Sequence, residues 1–479
     1  MAGQGERAGL NTSPVTPGVG SDHDRAFLGH PRGLGYIAFA EAWERFSYYG
    51  MQTLLVLYMT RQLLLPGRVE GVGGFAKFRV WLENTYGGGS AMSVVATASA
   101  IFGLYAGLVY LTPIAGGFIA DRWLGRTRTV TIGALLMATG HFLMAFDYTF
   151  LLALLCLLLG VGCFKGNLAS QVGALYKPED LRRADAYQIY YLFINGAVIV
   201  APLVTGTLGE VWGWHYGFGA AGVGMVIGLV IYLAGRKWLP PEERKTPAVA
   251  RAAERRTMTR DDWIVTAVLI GLLPVLAAGA VTNQQIFNSY LVWVPEHVSL
   301  VFFGKTMPTT WLVTLDAIVS VSSLVGAVAF WRWWAKRFPE PSEVVKITLG
   351  LGISACGALC LAGAAMAAAG GQKASIGWVL GFEVLNSIGF ANVFPVGLAM
   401  YARAAPKSVS GTIMGVYYLH LFACNSLVGW LGGLLEKMSG TQFWLLHAAL
   451  VGGACVVMLL AARTAGRLLD PRGTAAAAP

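Results

Sequence analysis

The chain has 479 residues, of which 56% are hydrophobic and 13% are charged, and its mean hydropathy is +0.58. This composition excludes an ordinary soluble protein and, with apolar runs of about 20 residues, predicts a polytopic membrane protein. The formal net charge of +10 would suit nucleic-acid binding in a soluble chain. In a membrane protein, basic residues instead mark the cytoplasmic loops, so we expect no nucleic-acid partner.

Twelve apolar stretches follow a polar N-terminal segment. Residues 1–35 are rich in glycine and proline and have no short apolar core of a cleavable signal, which predicts a disordered cytoplasmic tail. The stretches beyond it predict an all-α protein with twelve membrane helices. These lie at about 36–64, 91–120, 127–147, 150–176, 184–208, 214–237, 262–296, 310–334, 344–370, 374–402, 409–433 and 441–463.

The loops between the predicted helices differ in charge. If the N-terminus is cytoplasmic, most of the 35 Lys and Arg residues fall on that side, as the positive-inside rule requires. We therefore predict an integral protein of the cell inner or plasma membrane with both termini in the cytoplasm. The expected partners are membrane lipid and a small-molecule substrate, and the expected oligomeric state is a monomer.

The basic stretch 238–261 opens with two prolines and divides the predicted helices six and six. It predicts a cytoplasmic linker between two six-helix bundles, 36–237 and 262–463, followed by a cytoplasmic tail at 464–479. Two such bundles with a site near the membrane midplane are expected of a rocker-type secondary transporter.

A loop of the form GGxxADRxxGR joins the second and third predicted helices. It begins at Gly116 and Gly117 and contains Asp121, Arg122 and Arg126. Small glycines allow helix ends to pack closely, and the aspartate and arginines can lock neighbouring cytoplasmic ends in one conformation. The loop resembles the gate motif of the major facilitator superfamily, which predicts gate roles for Gly117, Asp121, Arg122 and Arg126.

The first predicted span contains a charged stripe. One helical face carries Glu41, Glu44, Arg45, Tyr48, Tyr49 and Gln52, at spacings of i, i+3, i+4, i+7, i+8 and i+11. A charge at mid-bilayer depth costs at least about 2.5–3.5 kcal/mol, so the stripe predicts a protein-lined or hydrated cavity. The alternative is a position at the headgroup level, but the apolar run 53–60 is too short to span a bilayer without it.

Lys165 lies near the middle of the fourth predicted helix, too deep for its side chain to reach the membrane surface. We expect a partner inside the bundle, with Glu41 or Glu44 as the nearest candidates. Together with Arg45 these residues form a neutral set. Protonation of one carboxylate would then free a cation to bind an anionic substrate group.

Three motifs carry a resemblance to a known family. They are Glu-x-x-Glu-Arg-Phe-x-Tyr-Tyr-Gly in the first span, Phe164-Lys165-Gly166-Asn167 in the fourth, and Trp214-His215-Tyr-Gly-Phe-Gly at the start of the sixth. Together they resemble the proton-dependent oligopeptide transporter family, a branch of the major facilitator superfamily. The likeness is specific over about residues 30–236 and weaker beyond, mainly around Phe394-Pro395 and Gly411 to Tyr417.

The resemblance implies roles for single residues. Proton coupling falls to Glu41 and Glu44 with Arg45 and Lys165, and the two cations would also bind a substrate carboxylate. Other predicted substrate contacts are Tyr48, Tyr49, Tyr105, Asn195, Asn283 and Tyr417. Protons are the only coupling ion that the family implies.

The chain also departs from the family pattern. Many bacterial members have an arginine at the position of Gln52 and a glutamate at that of Asn283, so one charge pair is missing. Phe390 replaces a glutamate of the tenth helix that is thought to hold the amino terminus of the peptide. Glu383, two turns earlier on roughly the same face, is a candidate to replace it as a substrate contact or to act as a gate residue.

Six cysteines lie within apolar spans without a CxxC pair or a metal-ligand spacing, so we expect neither disulfides nor a metal or other cofactor. The leading hypothesis is a proton-coupled symporter that imports di- and tripeptides or peptide-like solutes by alternating access. One alternative is a transporter of an organic anion or of a modified peptide without a free amine. An integral-membrane enzyme is the alternative from another class, but the sequence shows no nucleophile or paired catalytic groups near the interface.

Overall fold

The computed structural model describes residues 24–177, 180–241, 258–302, 304–406 and 409–469. The N-terminal half contains seven α-helices. They are α1 (Arg32–Tyr58), α2 (Phe75–Tyr86), α3 (Val94–Ile119), α4 (Arg126–Leu143), α5 (Phe150–Ala174), α6 (Arg182–Ala201) and α7 (Trp214–Ala234). π-Helical turns continue three of these helices: Met59–Leu63 after α1, Ala120–Leu124 after α3, and Pro202–Gly206 with Leu208–Trp212 after α6.

The C-terminal half contains nine α-helices and a small hairpin within the described residues. The helices are α8 (Arg260–Gly279), α9 (Val281–Gln285), α10 (Ser289–His297), α11 (Trp311–Ala335), α12 (Glu343–Ala368), α13 (Gly377–Ala404), α14 (Ser410–Tyr417), α15 (Leu419–Gly432) and α16 (Gly440–Leu469). Strands β1 (Val301–Phe302) and β2 (Lys305–Thr306) pair antiparallel between α10 and α11.

Ten helical segments of the described chain are long and apolar enough to cross a membrane. Helix α1 has the length but carries the charged stripe, and α4 is a shorter helix that begins with arginines. With these two, the helices account for all twelve predicted spans. The orientation of the termini stays a prediction.

Two predicted spans are interrupted helices. The span predicted at 262–296 consists of α8, α9 and α10, with a break at Asn288, whose φ and ψ are −127° and −110°. The span predicted at 409–433 consists of α14 and α15, which meet at Tyr418. Each interruption lies where the two halves face each other, as the contacts below show.

The predicted tails are shorter than expected. Residues 24–35 are ordered, because Phe27 packs against Phe39 with ring centroids 6.3 Å apart and the Arg32 amide donates to Asp24 at 3.1 Å. At the other end α16 continues to Leu469, six residues into the predicted tail. Ordered structure therefore extends beyond both predicted bounds, residues 35 and 463, while 1–23, 242–257 and 470–479 lie outside the described residues. The domain bounds stay a prediction.

The stretch 65–90, which connects the first two predicted spans, contains the unpredicted helix α2. Its Phe75 and Leu82 are buried against the N-terminal half, while Trp81 is 47% exposed and stacks on Phe78 at 5.8 Å. A partly exposed aromatic pair on a short helix suits an anchor at the membrane interface.

The long helices pack as two groups that meet along two helix pairs. Helix α1 lies against α6 and α7, and α3 against α5, while α12 lies against α13 and α16 in the other half. Between the halves, α3 packs on α15 and α6 packs on α11. At the first of these contacts a side chain on Gly103 would lie 2.4 Å from the Asn425 carbonyl oxygen, so the close approach requires glycine.

Candidate functional site

The charged stripe of α1 faces the protein interior. Glu41, Glu44 and Arg45 are 2%, 0% and 4% exposed. The Arg45 Nε lies 2.9 Å from Glu41 Oε1 and 2.7 Å from Glu44 Oε2, so one guanidinium group pairs with both carboxylates. The headgroup alternative does not fit this burial.

This cluster, which we call the α1 charge cluster, has unused polar atoms. Glu41 Oε2, Glu44 Oε1 and Arg45 Nη2 are buried and have no hydrogen-bond partner among the described residues. Buried polar atoms are nearly always paired with protein or ordered water. The cluster therefore has free capacity for a proton, a water molecule or a polar group of a ligand.

Lys165 does not form the predicted ion pair with Glu41 or Glu44. Its ammonium group lies over the ring of Tyr110, 5.1 Å from the centroid, and no described carboxylate lies within ion-pair distance. Arg45 occupies both carboxylates instead, because it lies on the same helix, one residue from Glu44 and one turn from Glu41. Lys165 still interacts electrostatically with all three charges of the cluster.

Tyrosines surround the α1 charge cluster. The Arg45 guanidinium lies 5.7 Å from the ring centroid of Tyr48, which packs edge-on against Tyr49. The buried Tyr105 hydroxyl on α3 has no hydrogen-bond partner among the described residues and interacts electrostatically with Glu44. Tyr190 on α6 is 3% exposed and faces Glu41 and Arg45, although sequence reasoning did not select it.

Asn195 and Asn283 occupy partly buried positions on opposite halves. Asn195 on α6 donates its amide to the Tyr191 carbonyl oxygen at 2.9 Å, within its own helix. Asn283 lies on the short helix α9 and accepts a 3.5 Å hydrogen bond from Gln284. Four residues later Phe287 meets Tyr49 of α1 with ring centroids 6.0 Å apart, which places α9 opposite the charged stripe.

Tyr417, a predicted substrate contact, faces away from the other half, whereas its neighbour Tyr418 faces it. Tyr417 is fully buried, and its hydroxyl donates to the Phe394 carbonyl oxygen at 2.7 Å, so the predicted contact with substrate is not available in this conformation. Tyr418 is 37% exposed and interacts electrostatically with Tyr110 and Tyr191 of the N-terminal half. Because the helix breaks at Tyr418, this side chain faces the N-terminal half while Tyr417 packs within the C-terminal half.

Glu383 on α13 is fully buried, and its carboxylate accepts a hydrogen bond from the Tyr290 hydroxyl of α10. One turn later on α13, the Ser387 hydroxyl donates to Asp316 Oδ1 of α11 at 3.5 Å, so Asp316 and Glu383 lie on the same helix contact. Sequence reasoning missed Asp316, although a lone aspartate inside an apolar span was a sufficient signal. Glu383 is thus one member of a second buried acidic site, and its role in substrate binding stays a prediction.

The predicted gate lies at the end of α3. A side chain on Gly116 would lie 2.0 Å from the Gly162 carbonyl oxygen of α5, whereas one on Gly117 would meet open space. Close helix packing therefore depends on Gly116. Asp121 and Arg122 are exposed, Arg122 lies over the Phe118 ring, and no ion pair of Asp121, Arg122 or Arg126 is found within the described chain.

The halves are joined at the opposite end of the helices. The Glu210 carboxylate accepts hydrogen bonds from the backbone amides of Thr309 at 3.1 Å and Thr310 at 2.8 Å. The Trp311 indole donates to Thr207 at 2.8 Å. We call this set of contacts the Glu210 closure.

The described residues include no group of three His, Cys, Asp or Glu side chains that could hold a metal ion. The six cysteines are free thiols. That the protein works without a metal or other cofactor stays a prediction.

Residues 46–429 match the family model of the Major Facilitator Superfamily. Over 94% of this chain and 97% of the relative, the sequence is 28% identical to the peptide transporter YePEPT of Yersinia enterocolitica. It is 27% identical to a di-/tripeptide transporter of Lactococcus lactis over 83% and 88% of the two chains. A crystal structure of the peptide transporter POT in complex with sulfate aligns with a TM-score of 0.79, at 25% identity over 93% of this chain and 97% of that one.

The family model covers most of the chain, and the relatives extend over nearly its whole length. These matches agree with the motifs around Glu41, Lys165 and Trp214. They also exclude an enzyme, because the family and its structures are transporters. The chain is a membrane transporter that belongs to the major facilitator superfamily and, within it, to the proton-dependent oligopeptide transporter family.

Proposed function

We propose that this transporter is a proton-coupled symporter that imports di- and tripeptides or peptide-like solutes by alternating access. The observation that carries the proposal is the α1 charge cluster, in which one arginine pairs with two buried carboxylates and polar atoms stay unpaired among the described residues. The peptide and di-/tripeptide transporters among its relatives support the choice of substrate.

The proposed coupling begins with a proton. Arg45 cannot offer its full charge to a solute while Glu41 and Glu44 both hold it, since they lie 2.9 and 2.7 Å away. Protonation of either carboxylate weakens one of these pairs and exposes positive charge. A substrate carboxylate then binds Arg45, with Lys165 as the second cation.

The tyrosines give this site a partly apolar wall with polar tips. Tyr48, Tyr49 and Tyr105 line it from the N-terminal half, and Phe287 faces Tyr49 from the C-terminal half. Aromatic side chains of this kind bury apolar groups and offer hydroxyls for hydrogen bonds. Such a surface suits peptides of varied side chains better than a single rigid solute.

Alternating access requires the two bundles, 36–237 and 262–463, to rock about the site. With cytoplasmic termini, the Glu210 closure lies on the extracellular side and the unpaired gate residues on the cytoplasmic side. We therefore assign the structure to an inward-facing state. In the outward-facing state the Glu210 closure breaks, and Asp121 forms an ion pair with Arg122, Arg126 or a neighbouring helix end.

A second candidate substrate class follows from Phe390. It stacks on Phe394 with ring centroids 5.4 Å apart, at the position where the family has the glutamate that holds a peptide amine. This observation favours an organic anion or an N-blocked peptide that needs no amine contact.

Uptake into proteoliposomes under an imposed proton gradient tests both candidates. Uptake by the full chain is measured for labelled di- and tripeptides and for simple organic acids. N-acetylated peptides are added as competitors. Gradient-driven accumulation of free peptides supports the first candidate, whereas equal competition by acetylated peptides supports the second. Absence of gradient-dependent uptake for every solute refutes proton-coupled symport.

A further inference from the structure

The C-terminal half contains two buried acidic side chains that face each other. Glu383 on α13 is 0% exposed and Asp316 on α11 is 8% exposed. The Ser387 hydroxyl, one turn after Glu383 on α13, lies 3.5 Å from Asp316 Oδ1, which places the two carboxyl groups on the same α11–α13 contact. Two ionised carboxylates buried this close together repel, and a proton on one of them removes the repulsion.

Neutral donors surround this pair. The Tyr290 hydroxyl donates to Glu383 Oε1, and the Ser387 hydroxyl donates to Asp316 Oδ1 at 3.5 Å. Ser320 holds Ser387 through a 3.0 Å hydrogen bond. Glu383 Oε2 is buried and accepts no hydrogen bond from the described residues, so this oxygen can carry a proton.

Among the described residues, the pair also has no basic partner. The titratable groups that face it are Tyr290 on α10 and Tyr49 on α1, across the interface between the halves. No ion pair joins either carboxylate to a Lys, Arg or His within the described ranges, in contrast to Glu41 and Glu44. A buried double negative charge without a counter-cation is strongly unfavourable, and a bound proton removes half of it.

We infer that Asp316 and Glu383 share one proton and form a second proton-binding site, in the C-terminal half and opposite the α1 charge cluster. The position of Asp316 connects the site to the movement of the halves. Two residues earlier, the Thr314 hydroxyl donates to the Ile199 carbonyl oxygen of α6 at 2.9 Å. Separation of α6 from α11 in the outward-facing state breaks this bond and lets extracellular water reach Asp316, so that the site takes up its proton from that side.

The shared proton is tested on the purified full-length protein by infrared difference spectroscopy at neutral pH. The wild type is compared with the double variant Asp316→Asn/Glu383→Gln and with Asp261→Asn, an exposed aspartate in the first turn of α8. We expect the double variant to lose one protonated-carboxyl band and one carboxylate band. Loss of two carboxylate bands, or of two protonated bands, overturns the inference.

The role of the site in transport rests on the proposed proton-coupled function and needs a second readout. Exchange of labelled dipeptide across proteoliposomes without a gradient reports substrate movement alone. We expect Asp316→Asn and Glu383→Gln to keep exchange and to lower the number of protons moved per substrate. An unchanged proton number overturns the coupling role, whereas absence of dipeptide exchange in the wild type refutes peptide transport, the first candidate function, and leaves the infrared result standing.

Discussion

Replacement of Arg45 by methionine is predicted to destabilise the protein strongly. The substitution keeps most of the side-chain volume but removes the counter-charge of Glu41 and Glu44. These two residues are only 2% and 0% exposed. At N–O distances of 2.9 and 2.7 Å and an effective dielectric constant of about 20, each pair contributes about 6 kcal/mol of gross attraction. Desolvation offsets much of this, and breaking buried pairs of this kind costs about 3–5 kcal/mol.

The prediction is checked by unfolding the purified variant in detergent over a range of pH. We expect the loss of stability relative to wild type to be largest at high pH. It shrinks as the pH falls, because protonation of the carboxylates removes the uncompensated charge. The triple variant Glu41→Gln/Glu44→Gln/Arg45→Met, in which all three charges are removed together, is expected to recover most of the stability.

Arg61→Met is the matched control. Arg61 pairs with Glu210 at 3.4 Å, but its side chain is 40% exposed, so the substitution is expected to cost at most about 1 kcal/mol. If Arg45→Met costs no more than Arg61→Met, or if its cost neither varies with pH nor disappears in the triple variant, the assigned role of Arg45 as counter-charge is refuted.

Three further predictions concern the ends of the helices. Gly116→Ala places a methyl group 2.0 Å from the Gly162 carbonyl oxygen, and is expected to cost about 1–3 kcal/mol in a thermal melt, whereas Gly117→Ala, which meets open space, is expected to cost little. Glu210→Gln loses charge-assisted hydrogen bonds to two backbone amides, each of about 1.5–3 kcal/mol, and is expected to increase labelling, by an external reagent, of a cysteine introduced beside the α1 charge cluster. Burial, and next a neighbouring arginine, lower the pKa of His30 from its usual 6.5, so the unfolded chain binds the proton first and stability falls as the pH drops below that value. His30→Gln is expected to flatten this part of the dependence of melting temperature on pH, and an unchanged profile contradicts the assignment.

Hydrophobic length was sufficient to predict the long helices, because a span needs a fixed number of apolar residues. Interruptions within a span leave no such signal, and the breaks at Asn288 and Tyr418 were missed. Helix α2 was missed as well, because the glycines around it indicated a loop. Its buried Phe75 and Leu82, seven residues apart, were the only helical pattern available.

Side-chain pairing was harder to predict than membership of the site. The spacing of Glu41, Glu44 and Arg45 predicted one face, and the structure places them in contact. Lys165 was assigned to the same carboxylates because charge balance cannot tell which of two cations lies closer. Asp316 was missed because no motif contained it. Its position beside Glu383 also depends on the packing of two helices that are distant in sequence.

The packing at the gate shows the same limit. The paired glycines predicted a close helix contact, but only the rotation of α3 decides which of them faces α5. The structure assigns this contact to Gly116, and the predicted role of Gly117 in gating is left without a packing contact. Hydrophobic patterning specified the element, and tertiary packing selected the residue.

Coupling through the first helix is the central claim, and Glu44→Gln in proteoliposomes tests it most directly. Glutamine keeps the shape of the side chain and stands in for a permanently protonated carboxyl group. We predict that the variant still exchanges labelled dipeptide across the membrane but no longer accumulates it when a proton gradient is imposed. Accumulation at the wild-type level by Glu44→Gln would contradict the claim.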